Sequence, residues 1–175
     1  YAREEVSAWM KKELEEYYPI IYIDATFINT GRTDSVSKEA YYSILGVKQD
    51  TSREVLSVAN NPTESSSFWS DIFNDLKNRG VKETGLVVTD GLRGIENVIN
   101  KHYKEAEIQL CTVHLQRECQ KYIKPKHKAE MAMDLKEVFS CDDKNDMKAA
   151  GMERWKEFCK KWKEYYPVFG NKMNN

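Results

Sequence analysis

The succession of apolar runs constrains this 175-residue chain more than any single residue does. Three β-rich segments follow one another: "PIIYIDATFI" (19–28), "AYYSILGVKQD" (40–50) and "REVLSVANNP" (53–62). The polar stretch between the first two, "NTGRTDSVSKE", is read as a turn region, and three strands joined by short turns predict an antiparallel meander. The continuous first run reads as a strand covered on both faces. The period then changes. "TESSSFWSDIFNDLKNRG" places Phe68, Trp69, Ile72, Phe73 and Leu76 on one helical face, with Thr63 or Ser65 as N-cap and Gly80 as the stop. "TGLVVTDG" is a short strand, "GIENVINKHY" a helix and "EIQLCTVHL" a fifth strand. The order β-β-β-α-β-α-β predicts an α/β fold, a mixed five-stranded sheet with right-handed crossovers and helices on both sides.

Helical segments flank this pattern. Residues 3–16 carry Val6, Met10 and Leu14 on one stripe, with Trp9 beside it. From about Arg117 the chain is helical and highly charged, and Met133, Val138, Trp155, Phe158, Trp162 and Tyr165 recur at core-packing intervals. Lys156, Lys160, Lys161 and Lys163 read as a solvated face, with a DNA-facing surface as the sharper alternative. The expected organisation is an N-terminal flanking helix (1–17), a core (18–120) and a helical extension (121–175).

With 41% hydrophobic and 31% charged residues the chain is globular and not disordered. No apolar run approaches the roughly 20 residues of a membrane span, and no signal peptide opens the chain. It starts at Tyr1 without Met, which leads us to expect a fragment of something longer. A net charge of −1 gives no overall basic excess of the kind that marks nucleic-acid binding, though local basic faces are compatible with it. The four cysteines are widely spaced and lack a C-x-x-C pair, which favours reduced thiols over a disulfide framework.

Asp24 interrupts a run that should be buried, and a buried carboxylate without a partner is costly. Asp90 ends the fourth strand. Ligands of such sheets bind beyond strand ends. If strands one and four are neighbours, the two anions would repel unless a cation such as Mg²⁺ lay between them. Two such ions about 3.5–4 Å apart would suit phosphodiester chemistry. Alternatively, Asp90 before Gly91 caps a turn. Cys111-x-x-His114 resembles half of a zinc site with no second half nearby. Cys111 is then a small core residue and His114 a structural histidine, unless His114 lies by the carboxylates and orients a phosphate or water. Glu64 falls in the first turn of the first crossover helix, either favouring the helix N-terminus or serving as an accessory carboxylate.

Together, "IDATF", "NPTESSSFW", "VVTDGLRGI" and "CTVHLQRE", in this order and spacing, resemble the catalytic core of Mutator-type transposases of bacterial insertion sequences. The resemblance covers residues 18–138 and continues more loosely. It implies an RNase H-like fold with part of a C-terminal all-helical insertion, and a DDE triad binding two Mg²⁺ ions, with Mn²⁺ as substitute. Asp24 and Asp90 match the first two acids. Glu64, Cys111, His114 and Arg117 match accessory positions, Glu118 standing where an asparagine is typical. The third catalytic glutamate belongs to a T-N-x-x-E-x-x-N-like segment absent from this fragment, and Glu153 and Glu157 are not its substitutes.

The implied activity is metal-dependent cleavage at transposon ends and strand transfer into target DNA, by cut-and-paste or copy-out. The implied setting is a homo-oligomer on DNA in the bacterial cytoplasm, with the fragment itself inactive. The alternatives are an RNase H-like nuclease acting by hydrolysis alone and a domesticated, non-catalytic DNA-binding relative. A phosphatase using Asp24 is disfavoured because Thr26 stands where its D-x-D-x-T pattern needs an aspartate.

Overall fold

The computed structural model describes residues 2–32, 35–60, 65–92, 94–140 and 147–169. The chain divides into two compact units, Tyr1–Cys111 and Thr112–Asn175.

The first unit is built on a five-stranded sheet in the order β3-β2-β1-β4-β5. The strands are β1 (Tyr17–Arg32), β2 (Ser35–Val47), β3 (Arg53–Asn60), β4 (Glu83–Thr89) and β5 (Glu107–Leu110). β1 pairs antiparallel with β2 and β2 with β3, whereas β4 joins β1, and β5 joins β4, in parallel. This is the mixed five-stranded arrangement expected of the β-β-β-α-β-α-β order.

The two crossovers, α2 (Ser66–Asn78) and α3 (Ile95–His102), carry the chain from β3 to β4 and from β4 to β5. Both connect parallel strands and both step across the sheet in the same direction. Right-handed connections therefore lay both helices on one face. Within this unit that differs from the expected helices on both sides. Trp69, Ile72, Phe73 and Leu76 of α2 and Ile95, Val98 and Ile99 of α3 close over Ile21, Ile23, Tyr42, Ile44, Leu56 and Val87 of the sheet. Ser65 caps α2, its hydroxyl accepting the Phe68 N–H at 3.2 Å.

β1 and β2 extend through most of the polar stretch read as a turn. Their register continues through Asn29↔Lys38, Thr30↔Ser37 and Gly31↔Val36 to Arg32↔Ser35. Once the apolar half sets the register, the backbone ladder propagates into residues that bury little, which hydrophobic patterning cannot reveal. β1 also alternates instead of being covered on both faces: Ile21 and Ile23 are buried, Tyr22 and Asp24 are not. The first helix, α1 (Ala2–Met10), ends short of the expected residue 16. Leu14 lies beyond it, buried, its N–H donating to the Arg79 carbonyl at 2.7 Å.

The second unit contains α4 (Thr112–Lys121), a 3-10 turn at Pro125–His127, α5 (Lys128–Val138) and α6 (Met147–Tyr165). Its core gathers Cys119, Ile123, Met131, Leu135, Val138, Phe158, Cys159, Trp162 and Phe169, with Trp155 packed against it. Met133 and Tyr165, expected in such a core, are 70% and 60% exposed. Cys111, Cys119 and Cys159 are free thiols, and Cys141 lies outside the described residues.

Candidate active site

Asp24 and Asp90 meet because of register. Parallel pairing of β1 with β4 runs to Ile23↔Thr89, so the next residue on each strand is an aspartate. Register partners on adjacent parallel strands share a face and stand about 4.8 Å apart. Ile21, Ile23, Val87 and Thr89 supply the face beneath α2 and α3, and the aspartates follow on the other side. A carboxylate oxygen of Asp24 lies within 4.8 Å of one of Asp90.

Asp24 is exposed, not buried as its apolar surroundings led us to expect. The oddity of a charge inside a strand is resolved by alternation: its neighbours Ile23 and Ala25 face the core while Asp24 faces out. On the β2 side it pairs with Ser43, whose hydroxyl reaches the Asp24 carbonyl at 3.5 Å.

Asp90 is half-buried in a turn built by its neighbours. The Thr89 hydroxyl accepts the Gly91 N–H at 3.1 Å, and Gly91 takes φ +87°, which a side chain would resist. The turn therefore holds Asp90 at the strand's carboxyl end. That makes the turn-capping alternative and the functional one compatible, since the Thr-Asp-Gly geometry fixes where the carboxylate sits.

The β4–β5 pairing runs to Thr89↔Leu110, and the Cys111 N–H donates to the Thr89 carbonyl at 2.7 Å. Cys111 therefore follows at the level of Asp90, half-buried. β5 ends at Leu110, however, and α4 begins at Thr112. His114 is thus a first-turn helical residue, half-buried, and not on the extended strand that "EIQLCTVHL" predicted; Arg117 is an exposed helical residue, as expected, and both belong to the second unit. Four residues complete the pairing with β4 at the sheet edge, after which Thr112 opens a helix. Glu64 lies outside the described residues. Glu118 pairs with Lys121 and accepts the Tyr122 hydroxyl at 3.1 Å, an ordinary surface arrangement.

Two carboxylates so disposed fit a divalent cation. Mg²⁺ sits about 2.0–2.1 Å from each oxygen, so one ion spans oxygens up to roughly 4.2 Å apart. The observed limit of 4.8 Å needs only a small side-chain adjustment to meet that reach. Sequence reasoning found the two acids but missed Ser43 and Thr89. The pairing rules that expose them operate only once the register is known.

Residues 1–175 match the family model described as Transposase, Mutator family. The chain is 29% identical over 147 residues to a probable transposase for an insertion sequence element of Corynebacterium diphtheriae, covering 84% of this chain and 43% of that protein. It is 29% identical over 173 residues to the transposase for insertion sequence element IS905 of Lactococcus lactis, covering 99% and 43%. It is 30% identical over 166 residues to the transposase for insertion sequence element ISRM3 of Rhizobium meliloti, covering 94% and 40%. The chain thus spans about two fifths of the length of these curated relatives. Among solved structures it is similar to a chain of a simian T-cell lymphotropic virus intasome in complex with PP2A regulatory subunit B56 gamma, with TM-score 0.38 and 11% identity, covering 82% of this chain and 49% of that one. On the family match over its whole length, this chain belongs to the Mutator family of transposases.

Proposed function

We propose that these residues form the larger part of the catalytic core of a DNA transposase that cleaves DNA at transposon ends and joins the freed 3′ ends to target DNA. The observation that carries the proposal is the pair Asp24 and Asp90, level with each other at adjacent parallel strand ends, in a chain of this family. In this reading residues 18–120 are the catalytic core, 1–17 a flanking helix and 121–175 a helical extension.

Asp24 and Asp90 would hold Mg²⁺, or Mn²⁺ in its place, through one carboxylate oxygen each. When bound, such ions supply Lewis-acid stabilisation of the phosphoryl oxygens and an activated oxygen nucleophile. The chain's own contribution is positional. Asp24 sits on the central strand, anchored by the β1–β2 and β1–β4 ladders, and Asp90 on a turn braced by Thr89. Rigid placement lets the carboxylates meet a cation without reorganising. Cys111, His114 and Arg117 are assigned accessory roles in supporting the phosphate-bearing substrate, and Glu64 an accessory carboxylate. The third acid is assigned to a segment outside these residues, so this stretch alone is expected to lack strand transfer.

The partners in this reading are transposon-end and target DNA and further copies of the protein, in the bacterial cytoplasm. Among the described residues no helix is long and apolar enough to cross a membrane.

The test uses the full-length protein containing these residues. Asp24→Asn and Asp90→Asn should each lower end cleavage at least a hundredfold while leaving end binding within threefold. Cleavage at the unsubstituted rate in either variant would overturn the assignment.

A further inference from the structure

The near-neutral total charge conceals a division. The first unit carries 13 Lys and Arg against 18 Asp and Glu, a net −5, and the second carries 14 against 10, a net +4. Within the second unit the excess concentrates between α4 and α5. Residues 121–128, "KYIKPKHK", hold four lysines and a histidine with no acid. Lys124, Lys126 and Lys128 are exposed, and no ion pair among the described residues engages them. Lys121, at the start of the segment, pairs with Glu118, and elsewhere in the unit Lys156 pairs with Glu153 and Lys161 with Glu130 and Asp134. Lys136, Lys160 and Lys163 are exposed as well, but on α5 and α6 they alternate with acidic residues in the sequence.

An ordinary solvated charged face mixes signs and is loosely held. This segment does neither. It is pinned to the end of α6 by Tyr166, whose hydroxyl accepts the Lys124 N–H at 3.3 Å and lies 2.7 Å from His127 Nδ1. The His127 ring packs among Trp162, Tyr165 and Tyr166, with centroids 5.8–6.2 Å away. Lys128 also opens α5, where a cation opposes the helix dipole. Like charges crowded on a fixed turn at a helix start cost stability in the free protein, and a polyanion removes that cost.

We propose that residues 121–128, with the exposed Tyr165 beside them, form a binding surface for the sugar-phosphate backbone of duplex DNA. This rests on the DNA-transposase reading for its partner but on different residues from the carboxylate pair. Three unpaired ammonium groups suit phosphates as point charges. Tyr165, 60% exposed, adds a hydroxyl donor at the same end of α6. The surface reads no sequence; it holds DNA in place.

The probe is a fluorescein-labelled duplex of arbitrary sequence, titrated with the 175-residue chain from about 50 to 200 mM salt and followed by anisotropy. The triple variant Lys124→Gln/Lys126→Gln/Lys128→Gln should bind at least tenfold more weakly at the low-salt end. Its plot of log K against log salt should flatten by about 2–3, since each lost phosphate contact removes about 0.9. A first-unit control, Lys11→Gln/Lys101→Gln/Lys104→Gln, should stay within twofold. Tyr166→Phe keeps every charge but releases the turn, so it should weaken binding about threefold with the slope unchanged. Should the triple variant fail to fold by circular dichroism, Lys126→Gln alone should remove about one unit of slope.

The surface is overturned if the triple variant, or Lys126→Gln in its place, binds as the unsubstituted chain does, or if the control loses as much. It is also overturned if these lysines govern binding to anionic-lipid vesicles and not to duplex. Failure here, with cleavage still dependent on Asp24, removes only this surface. Lysine-dependent duplex binding together with cleavage that survives Asp24→Asn would remove the transposase chemistry and leave the surface standing.

Discussion

At the scale of single residues, a carboxylate's environment decides what it is used for. Glu54 and Asp24 are both strand acids, yet their surroundings differ. Burial alone would raise the Glu54 carboxyl, but hydrogen bonds from Lys12, Tyr18 and Lys48 outweigh it and hold it below the usual carboxylate range. The Tyr18 hydroxyl donates to it at 3.0 Å, and Lys48 bridges it to Glu15. A depressed folded-state value means that Glu54 contributes stability above its unfolded value of about 4.3. That contribution is lost as pH falls through the lower folded value. Glu54→Gln should therefore lower stability at pH 7 and show a smaller further loss between pH 5 and pH 3 than the unsubstituted chain, measured by urea unfolding. Equal acid sensitivity would remove Glu54 from the acid response. Asp24 instead lies beside another acid, a carboxylate oxygen of Asp90 standing within 4.8 Å of one of its own. Two carboxylates held level by register are expected to take up Mn²⁺ in this chain. Asp90→Asn should weaken that uptake at least tenfold, about 1.4 kcal/mol, by calorimetric titration. Unchanged Mn²⁺ binding would place the ion elsewhere. Both aspartates were legible in the sequence, Asp24 as a charge out of place and Asp90 as a carboxylate at a strand end. The exposure of Asp24 was not, because its run of apolar neighbours hides the alternation that turns it outward.

Secondary-structure elements were legible where they bury apolar side chains and illegible where backbone pairing alone sustains them. Trp69, Ile72, Phe73 and Leu76 announce α2, and each is buried as the spacing requires. The outer half of the β1–β2 hairpin, from Asn29↔Lys38 to Arg32↔Ser35, is mostly polar in sequence, and even its one large apolar side chain, Val36, is 74% exposed, so no periodicity marks it. β5 failed in the other direction: the apolar pattern of "EIQLCTVHL" runs on, but pairing with β4 stops at Leu110 and Thr112 turns helical. Gly80 shows how an element ends. It follows α2 with φ +122°, and a Cβ there would lie 2.6 Å from the Leu14 carbonyl oxygen, a backbone atom that cannot swing away. Gly80→Ala should cost about 1–3 kcal/mol of stability through strain at positive φ. Because Leu14 and Arg79 are bonded across this junction, the loss should appear in the unfolding of the sheet unit. A variant as stable as the original would show that the Leu14 segment yields without cost.

For the whole molecule, the total charge is the quantity that misled. A net −1 and a pI near 6.4 suggest a chain indifferent to polyanions, yet the acidic excess lies in the unit bearing Asp24 and Asp90 and the basic excess in the helical unit. Composition sums over the chain and cannot register this division, which appears only once the boundary after Cys111 is known. Screening sets how each unit is felt. At 0.1 M salt the Debye length is about 10 Å, shorter than a unit is wide, so a polyanion near one unit responds to local charge more than to the total. A chain above its pI should then bind a heparin column at pH 7.5 and about 50 mM salt, and elute as salt rises. Lys124→Gln/Lys126→Gln/Lys128→Gln should elute markedly earlier, whereas removing the same number of charges from the first unit should not. If the unsubstituted chain passes through unretained, net charge governs after all, and the division between the units has no consequence for binding.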